Sequence, residues 1–252
     1  MKKLISVKNV LISFAILIVI WQLIYTVGGF NKALFPSPYD ALLALKELFT
    51  EESVMTDIGA SMARFATGYI ISVICAVFFG LILGRLPNIF KYINPVIQLL
   101  RPMSPMAWLP FIVLWFGIGD IPAVVIIFIS AFFPVLLSTV SAVGKIDPIY
   151  MKVSKSFGIK QPQLMWKIIL PASFPQIANS IHLALGTAWV FLVAGEMVGS
   201  QSGLGYLIID SRNNLRADTL MAVIIIIGII GLLLDTVLGL LEKQILKKWG
   251  ET

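Results

Sequence analysis

Gly158-Ile159-Lys160-Gln161-Pro162-Gln163-Leu164-Met165-Trp166-Lys167-Ile168-Ile169-Leu170-Pro171 is a basic, helix-forming segment set between two pairs of apolar runs. The runs on either side are long enough to cross a bilayer, which takes about 20 apolar residues. The segment therefore reads as a loop between spans. Upstream of it, Asp147-Pro148 is a helix start, with Asp as N-cap and Pro at the first helical position. Ile149, Val153 and Phe157 follow at roughly helical spacing, and Gly158 stands where a helix C-terminus needs a left-handed residue. Gln161-Pro162 opens a second short helix with Leu164, Met165, Ile168 and Ile169 as its apolar residues, and Pro171 is compatible with a stop or kink. The expected product is a helix–turn–helix with one apolar and one lysine-studded face. Two readings fit such a face: insertion into a groove on a partner protein, or rest on lipid headgroups.

Composition agrees that a bilayer surrounds this loop. Of 252 residues, 58% are hydrophobic and 13% charged, against about 25% charged in a soluble domain. Mean hydropathy is +0.94. Six spans are expected, at about 10–27, 62–83, 93–116, 121–143, 177–199 and 219–241. The third holds Pro95, Pro102, Pro105 and Pro110, which must break or kink it. The N-terminus, Met1-Lys2-Lys3 before an apolar run, mimics a signal peptide but reads as an uncleaved first span. The fold expectation is an all-α integral membrane protein, residues 1–252 forming one transmembrane domain with a 144–171 loop inside it.

Thirteen cations, among them Lys2, Lys3, Arg85, Lys91, Lys145, Lys152, Lys160, Lys167 and Lys243, fall at one set of span ends. Five, Lys32, Lys46, Arg64, Arg212 and Arg216, fall at the other, and Arg101 falls within a span. The positive-inside bias puts both termini and the 144–171 loop in the cytoplasm. At the other end, Pro36-Ser37-Pro38 and the amphipathic stretch Tyr39–Phe49 predict a short external helix. The net charge of +6 is spread between apolar runs, so nucleic acid is no partner. Cys75 and His182 are single residues of their kinds, which excludes an intrachain disulfide and a multi-His metal site.

Three ionisable residues fall within spans: Arg101, Glu196 and Asp235. Each must face protein or water, since a charge at the bilayer centre costs about 2.5–3.5 kcal/mol. Arg101, amid prolines, is a candidate for the substrate path or a partner for Glu196. Glu196 is the second substrate-path candidate and suits packing or gating, and Asp235 is expected to be satisfied near Glu242-Lys243. Gly80 with Gly84, and Gly195 with Gly199, have the spacing of close helix approach. No Gly-x-x-x-x-Gly-Lys-Ser/Thr occurs, and Gly144-Lys145 is followed by Ile, so the chain has no P-loop for ATP.

The loop resembles the coupling loop of ATP-binding-cassette importer permeases. That family reads Glu-Ala-Ala, three residues, Gly, nine residues, Ile, one residue, Leu-Pro. Gly158, Ile168, Leu170 and Pro171 match in type and spacing; Lys152, Val153 and Ser154 replace Glu-Ala-Ala. Leu100-Arg101-Pro102, Ala107-Trp108-Leu109-Pro110, Ala131-Phe132-Phe133-Pro134 and Leu192–Gly199 with Ser202–Leu207 are similar to spans of the sulfonate, nitrate and taurine branch. The resemblance implies a type I importer fold, a permease dimer, two ATPase subunits that bind ATP and Mg, and an external substrate-binding protein. It implies that Lys152, Val153, Ser154, Phe157, Gly158, Leu164, Ile168, Leu170 and Pro171 form the ATPase-coupling site. The cargo would be a small anionic solute crossing the inner membrane. Two other classes need patterns that this sequence does not supply. An intramembrane serine protease would use His182 with Ser200 or Ser202, but the His precedes those serines on the same span. An ion-driven secondary transporter would show paired interrupted spans, whereas only the third is strongly interrupted.

Overall fold

The computed structural model describes residues 2–29, 31, 33–50, 52–160 and 163–248, and all regular structure among them is helical. Helix α1 spans Lys2–Gly28 with none of its apolar stretch buried, and its Trp21 Nε1 donates to the Pro36 carbonyl. Helix α2, Pro38–Thr50, is the short helix expected from the Pro-Ser-Pro entry. Ser37 and Asp40 cap it reciprocally: the Asp40 N–H donates to Ser37 Oγ, and the Ser37 N–H donates to Asp40 Oδ2. Helix α3 covers Glu52–Arg85.

The expected third span is two helices rather than one. Helix α4, Pro87–Leu100, and the pair formed by a 3-10 turn, Pro105–Trp108, with α5, Leu109–Phe116, are bent by 82°. The prolines explain the break: Pro105 and Pro110 sit in the opening turns of the new segments, where a missing N–H costs nothing. Only Pro95 lies inside a helix of this pair.

Helix α6, Asp120–Gly144, is the axis of the molecule, and half of its apolar stretch is buried. After it come α7, Pro148–Ser156, α8, Leu170–Gly199, α9, Leu204–Asn213, and α10, Ala217–Lys248. Among the described residues, five helices are long and apolar enough to cross a membrane, and the bent pair makes a sixth crossing if counted as one. The short α9 was not anticipated.

Glycines set the α3–α6–α8 packing. A Cβ at Gly80 would stand 2.5 Å from Thr139 Cβ, and one at Gly84 would stand 2.6 Å from Val143 Cβ. On α8, Gly195 and Gly199 lie against Ala123 and Pro122 of α6. Both small-residue pairs thus mark real helix crossings, as their spacing predicted. Phe65 stacks on Tyr69 at 5.3 Å and meets Trp189 edge-on at 5.3 Å. Tyr69 Oη donates to the Ile181 carbonyl and Trp189 Nε1 to the Ile227 carbonyl, so α3, α8 and α10 are joined through buried polar tips.

Candidate functional site

At the basic end, α7 begins as the sequence predicted. Asp147 Oδ1 accepts the Ile149 N–H at 2.8 Å. It also ends as predicted: Gly158 has φ +65°, and the Ile159 N–H donates to the Ser154 carbonyl, closing the turn after α7. Ser154 is buried and bonds its hydroxyl to the Tyr150 carbonyl, which explains why this position takes a small side chain. Ile149, Tyr150, Val153 and Phe157 are exposed, Phe157 at 79%. Lys152 and Lys160 of the same loop are exposed as well.

The second arm of the loop differs from expectation. Its start at Gln161-Pro162 lies outside the described residues. From Gln163 the chain is already helical, winds as a π-helix over Met165–Ile169, and runs without interruption into α8. Pro171 therefore does not stop a helix. The Leu170 N–H reaches back to Met165, five residues earlier. This widened turn makes room for the proline ring, which an α-turn would drive into a carbonyl. Leu164 and Ile169 are buried against Leu81, Ala142, Val143 and Ile177, with Ile168 and Leu170 packed at the edge. Seven of the nine loop residues thus divide two ways. Val153, Phe157 and Lys152 face outward, whereas Ser154, Leu164, Ile168 and Leu170 seat the loop on the body. Pro171 lines a cleft of about 270 Å³ with Tyr150, Lys167 and Leu246.

Glu196 is fully buried at the opposite end of α8, and its partner is Arg64, not Arg101. Arg64 Nη1 donates to Glu196 Oε1 at 2.6 Å and to the Ser202 carbonyl at 2.7 Å. Its Nε and Nη2 lie 2.7 and 2.6 Å from Asp120 Oδ1, and Nη2 also donates to Ser202 Oγ. Ser61 Oγ donates to Glu196 and accepts from the Leu204 N–H, while Gly205 N–H donates to Glu196 Oε2 and Gly203 N–H to Asp57. Helices α3, α6, α8 and α9 meet in this one network. Arg64 reads from the sequence as a loop cation, but its side chain is 5% exposed. The missed signal is phase: Asp57, Ser61 and Arg64 recur at helical spacing on α3 and form a polar stripe.

Arg101 caps the C-terminus of α4 at the 82° bend. It is exposed, and among the described residues no side chain pairs with it. Asp235 is satisfied, as expected, but by a group the sequence reading did not link to it. His182 Nε2 is 2.8 Å from Asp235 Oδ1, and Nδ1 is 3.0 Å from Glu242 Oε2. This engagement with α10 holds the imidazole away from Ser200 and Ser202, which bond instead to Gly119 and Arg64. The protease reading has no base for its nucleophile.

Comparison with known proteins agrees with this architecture. A family model described as the binding-protein-dependent transport system inner membrane component matches residues 68–247. A permease of Bacillus subtilis (strain 168) assigned to aliphatic sulfonate transport is 34% identical, over 92% of this chain and 84% of its own. The taurine transport system permease of Escherichia coli (strain K12) is 28% identical, over 95% and 89%. A nitrate import permease of Synechocystis is 28% identical, over 93% and 87%. An inward-facing crystal form of the MetNI methionine ABC transporter contains a chain that superposes with a TM-score of 0.61 at 16% identity, covering 79% of this chain and 99% of that one. The chain belongs to the binding-protein-dependent transport system inner membrane component family, with the type I importer permease fold.

Proposed function

We propose that the chain, starting from this family membership, forms the translocation path for a small oxyanion-bearing solute. Two copies would build the path, and two separate ATPase subunits would drive it. The observation that carries the reading is the loop at the basic end. Exposed apolar side chains of α7, and Phe157 in the turn after it, share the loop with exposed Lys152 and Lys160, and Leu164 and Ile169 seat that loop on the body. An apolar ridge with a basic rim is suited to a groove on a soluble partner. By the positive-inside bias that end faces the cytoplasm, where ATP is hydrolysed. The chain has no P-loop of its own, so ATP and Mg belong on the partner. Closure of the ATPases would press on α7 and α8 and switch the path between outward and inward access.

The class of solute follows from the relatives, whose named cargoes are sulfonates, taurine and nitrate. All carry a compact group of negatively charged oxygens. Delivery would fall to an external binding protein docking at the end that carries α2 and α9.

The test is affinity purification of the tagged chain from its native membranes in mild detergent, with mass spectrometry of what accompanies it. A stoichiometric P-loop ATPase is expected. A chain that comes alone in several detergents would sink the coupling reading.

A further inference from the structure

At the basic-end half of α6 and α8, an open cavity of about 360 Å³ runs from Arg101 to Ser141 and Asn179. Its wall carries Arg101, Ser138, Ser141, Gln176, Asn179 and Ser180, with Pro134, Leu137 and Leu183 between them. Ser180 bonds to the Ile177 carbonyl. The side chains of Arg101, Ser138, Ser141, Gln176 and Asn179 have no hydrogen-bond or ion-pair partner among the described residues. Among the described residues no acidic side chain lines the cavity.

The depth of these groups makes their freedom significant. Gln176 and Asn179 lie six and nine residues into α8, roughly 9 and 13 Å along its axis. Against the expected spans 121–143 and 177–199, Ser138, Ser141, Gln176 and Asn179 lie toward the basic-end mouth of the bundle. A free guanidinium, two amides and two hydroxyls on a lipid-facing surface would each lack a partner, since hydrocarbon offers none. The lipid-ready surface of the molecule is elsewhere: α3 presents Ile70, Ile74, Phe78 and Phe79 outward. The polar wall therefore suits an aqueous path rather than a lipid-facing surface. It also sits where the third span breaks, and broken helix at membrane depth is tolerated where it lines an aqueous cavity.

We propose that this cavity is an oxyanion-binding station on the path, with Arg101 as its cation and Ser138, Ser141, Gln176 and Asn179 as its neutral donors. It rests on the permease reading and gives that reading a place for the cargo. The guanidinium fork matches two oxygens of a sulfonate or nitrate group. Hydroxyls and amides complete the donor set without adding charge that would trap the anion, and a station must release what it takes up. Leu137 and Leu183 give a short carbon tail an apolar wall. The absence of a lining carboxylate disfavours cations.

The experiment uses thiol labelling in the assembled complex in membranes. In a Cys75→Ser background, Asn179→Cys is reacted with two methanethiosulfonates of similar size, one carrying a sulfonate and the other a trimethylammonium group. The expected result is preference for the sulfonate reagent. Arg101→Gln should lower the sulfonate-to-ammonium rate ratio by about tenfold or more, the range for a charged cleft. Arg101→Lys should keep most of it, and excess methanesulfonate should slow labelling. If Asn179→Cys fails to accumulate, Ser138→Cys reads the same cavity from α6. A ratio indifferent to Arg101→Gln, or a site that neither aqueous reagent reaches, overturns the proposal. A co-purifying ATPase with an indifferent ratio removes the station and leaves the permease reading. Charge-selective labelling without an ATPase does the reverse.

Discussion

Glu196→Gln changes one atom of a buried carboxylate and should be among the costliest conservative substitutions in the chain. The side chain is 0% exposed and accepts from Arg64 Nη1 at 2.6 Å, from Ser61 Oγ at 2.8 Å and from the Gly205 N–H at 3.0 Å. A glutamine amide has one acceptor oxygen where the carboxylate has two. Placed toward Gly205, its nitrogen meets a backbone donor; placed toward Arg64, it meets the guanidinium. Either way at least one buried donor is orphaned, at about 1–3 kcal/mol, more if charged. The guanidinium, 5% exposed, also loses its buried counter-charge. Breaking a buried pair costs about 3–5 kcal/mol. Arg64 keeps Asp120, which is 73% exposed and so a screened partner, and this argues for the lower end, about 3 kcal/mol. For a chain of this size that is roughly 6–12 °C in Tm. The assay is thermal unfolding in a fixed detergent, followed by size exclusion of the tagged chain, for Glu196→Gln, Arg64→Gln and the double variant. The double should lose less than the two singles together, by about 1–3 kcal/mol. Strict additivity, or a Glu196→Gln Tm within about 3 °C of the parent, would refute the argument that the pair is one coupled unit.

Three further outcomes follow from particular contacts. Gly80→Ala puts a Cβ 2.5 Å from Thr139 Cβ across a helix crossing; the overpacking should cost about 1–3 kcal/mol, and an unchanged Tm would mean that α3 and α6 slide freely. Gly158→Asp meets no atom within 4 Å but holds φ +65°; about 1–2 kcal/mol of local backbone strain is expected, with membrane-inserted protein retained on an immunoblot and ATPase capture lost, so that disappearance of the inserted protein itself would defeat the prediction. Phe157→Ala removes a ring that is 79% exposed; Tm should move by less than the equivalent of about 0.5 kcal/mol, while ATPase recovered per permease falls several-fold, and full recovery would exclude Phe157 from the contact.

The spans were legible because membrane helices announce themselves by length and apolarity, α2 because Pro36-Ser37-Pro38 leads into an amphipathic stretch, and α7 because Asp147 and Gly158 sit at its caps. The glycine pairs foretold the crossings with α6. What composition hides is phase and partnership. Arg64 lies near the end of an apolar run, and only its register with Ser61 and Asp57 shows that it turns inward. The pairing of His182 with Asp235 and Glu242 joins residues more than fifty positions apart, beyond the reach of any local pattern. Pro171 misled for a definite reason: the penalty for proline inside a helix assumes an α-turn before it, and this chain supplies a wider one. Among the loop residues, spacing could not say which side of the loop each occupies.

That wider turn has a mechanical meaning. Residues Met165–Ile169 wound as π-helix hold about one residue of slack relative to α-helix. Taking up that slack would turn the loop-side end by about 100° and advance it by about 1.5 Å against the rest of α8. Downstream, α8 is a single rod from Leu170 to Gly199, with Glu196 moored near its far tip to Arg64, Ser61 and Gly205. A rod fixed at one end and geared at the other converts an axial push into rotation, and the gear tooth is one amino acid wide.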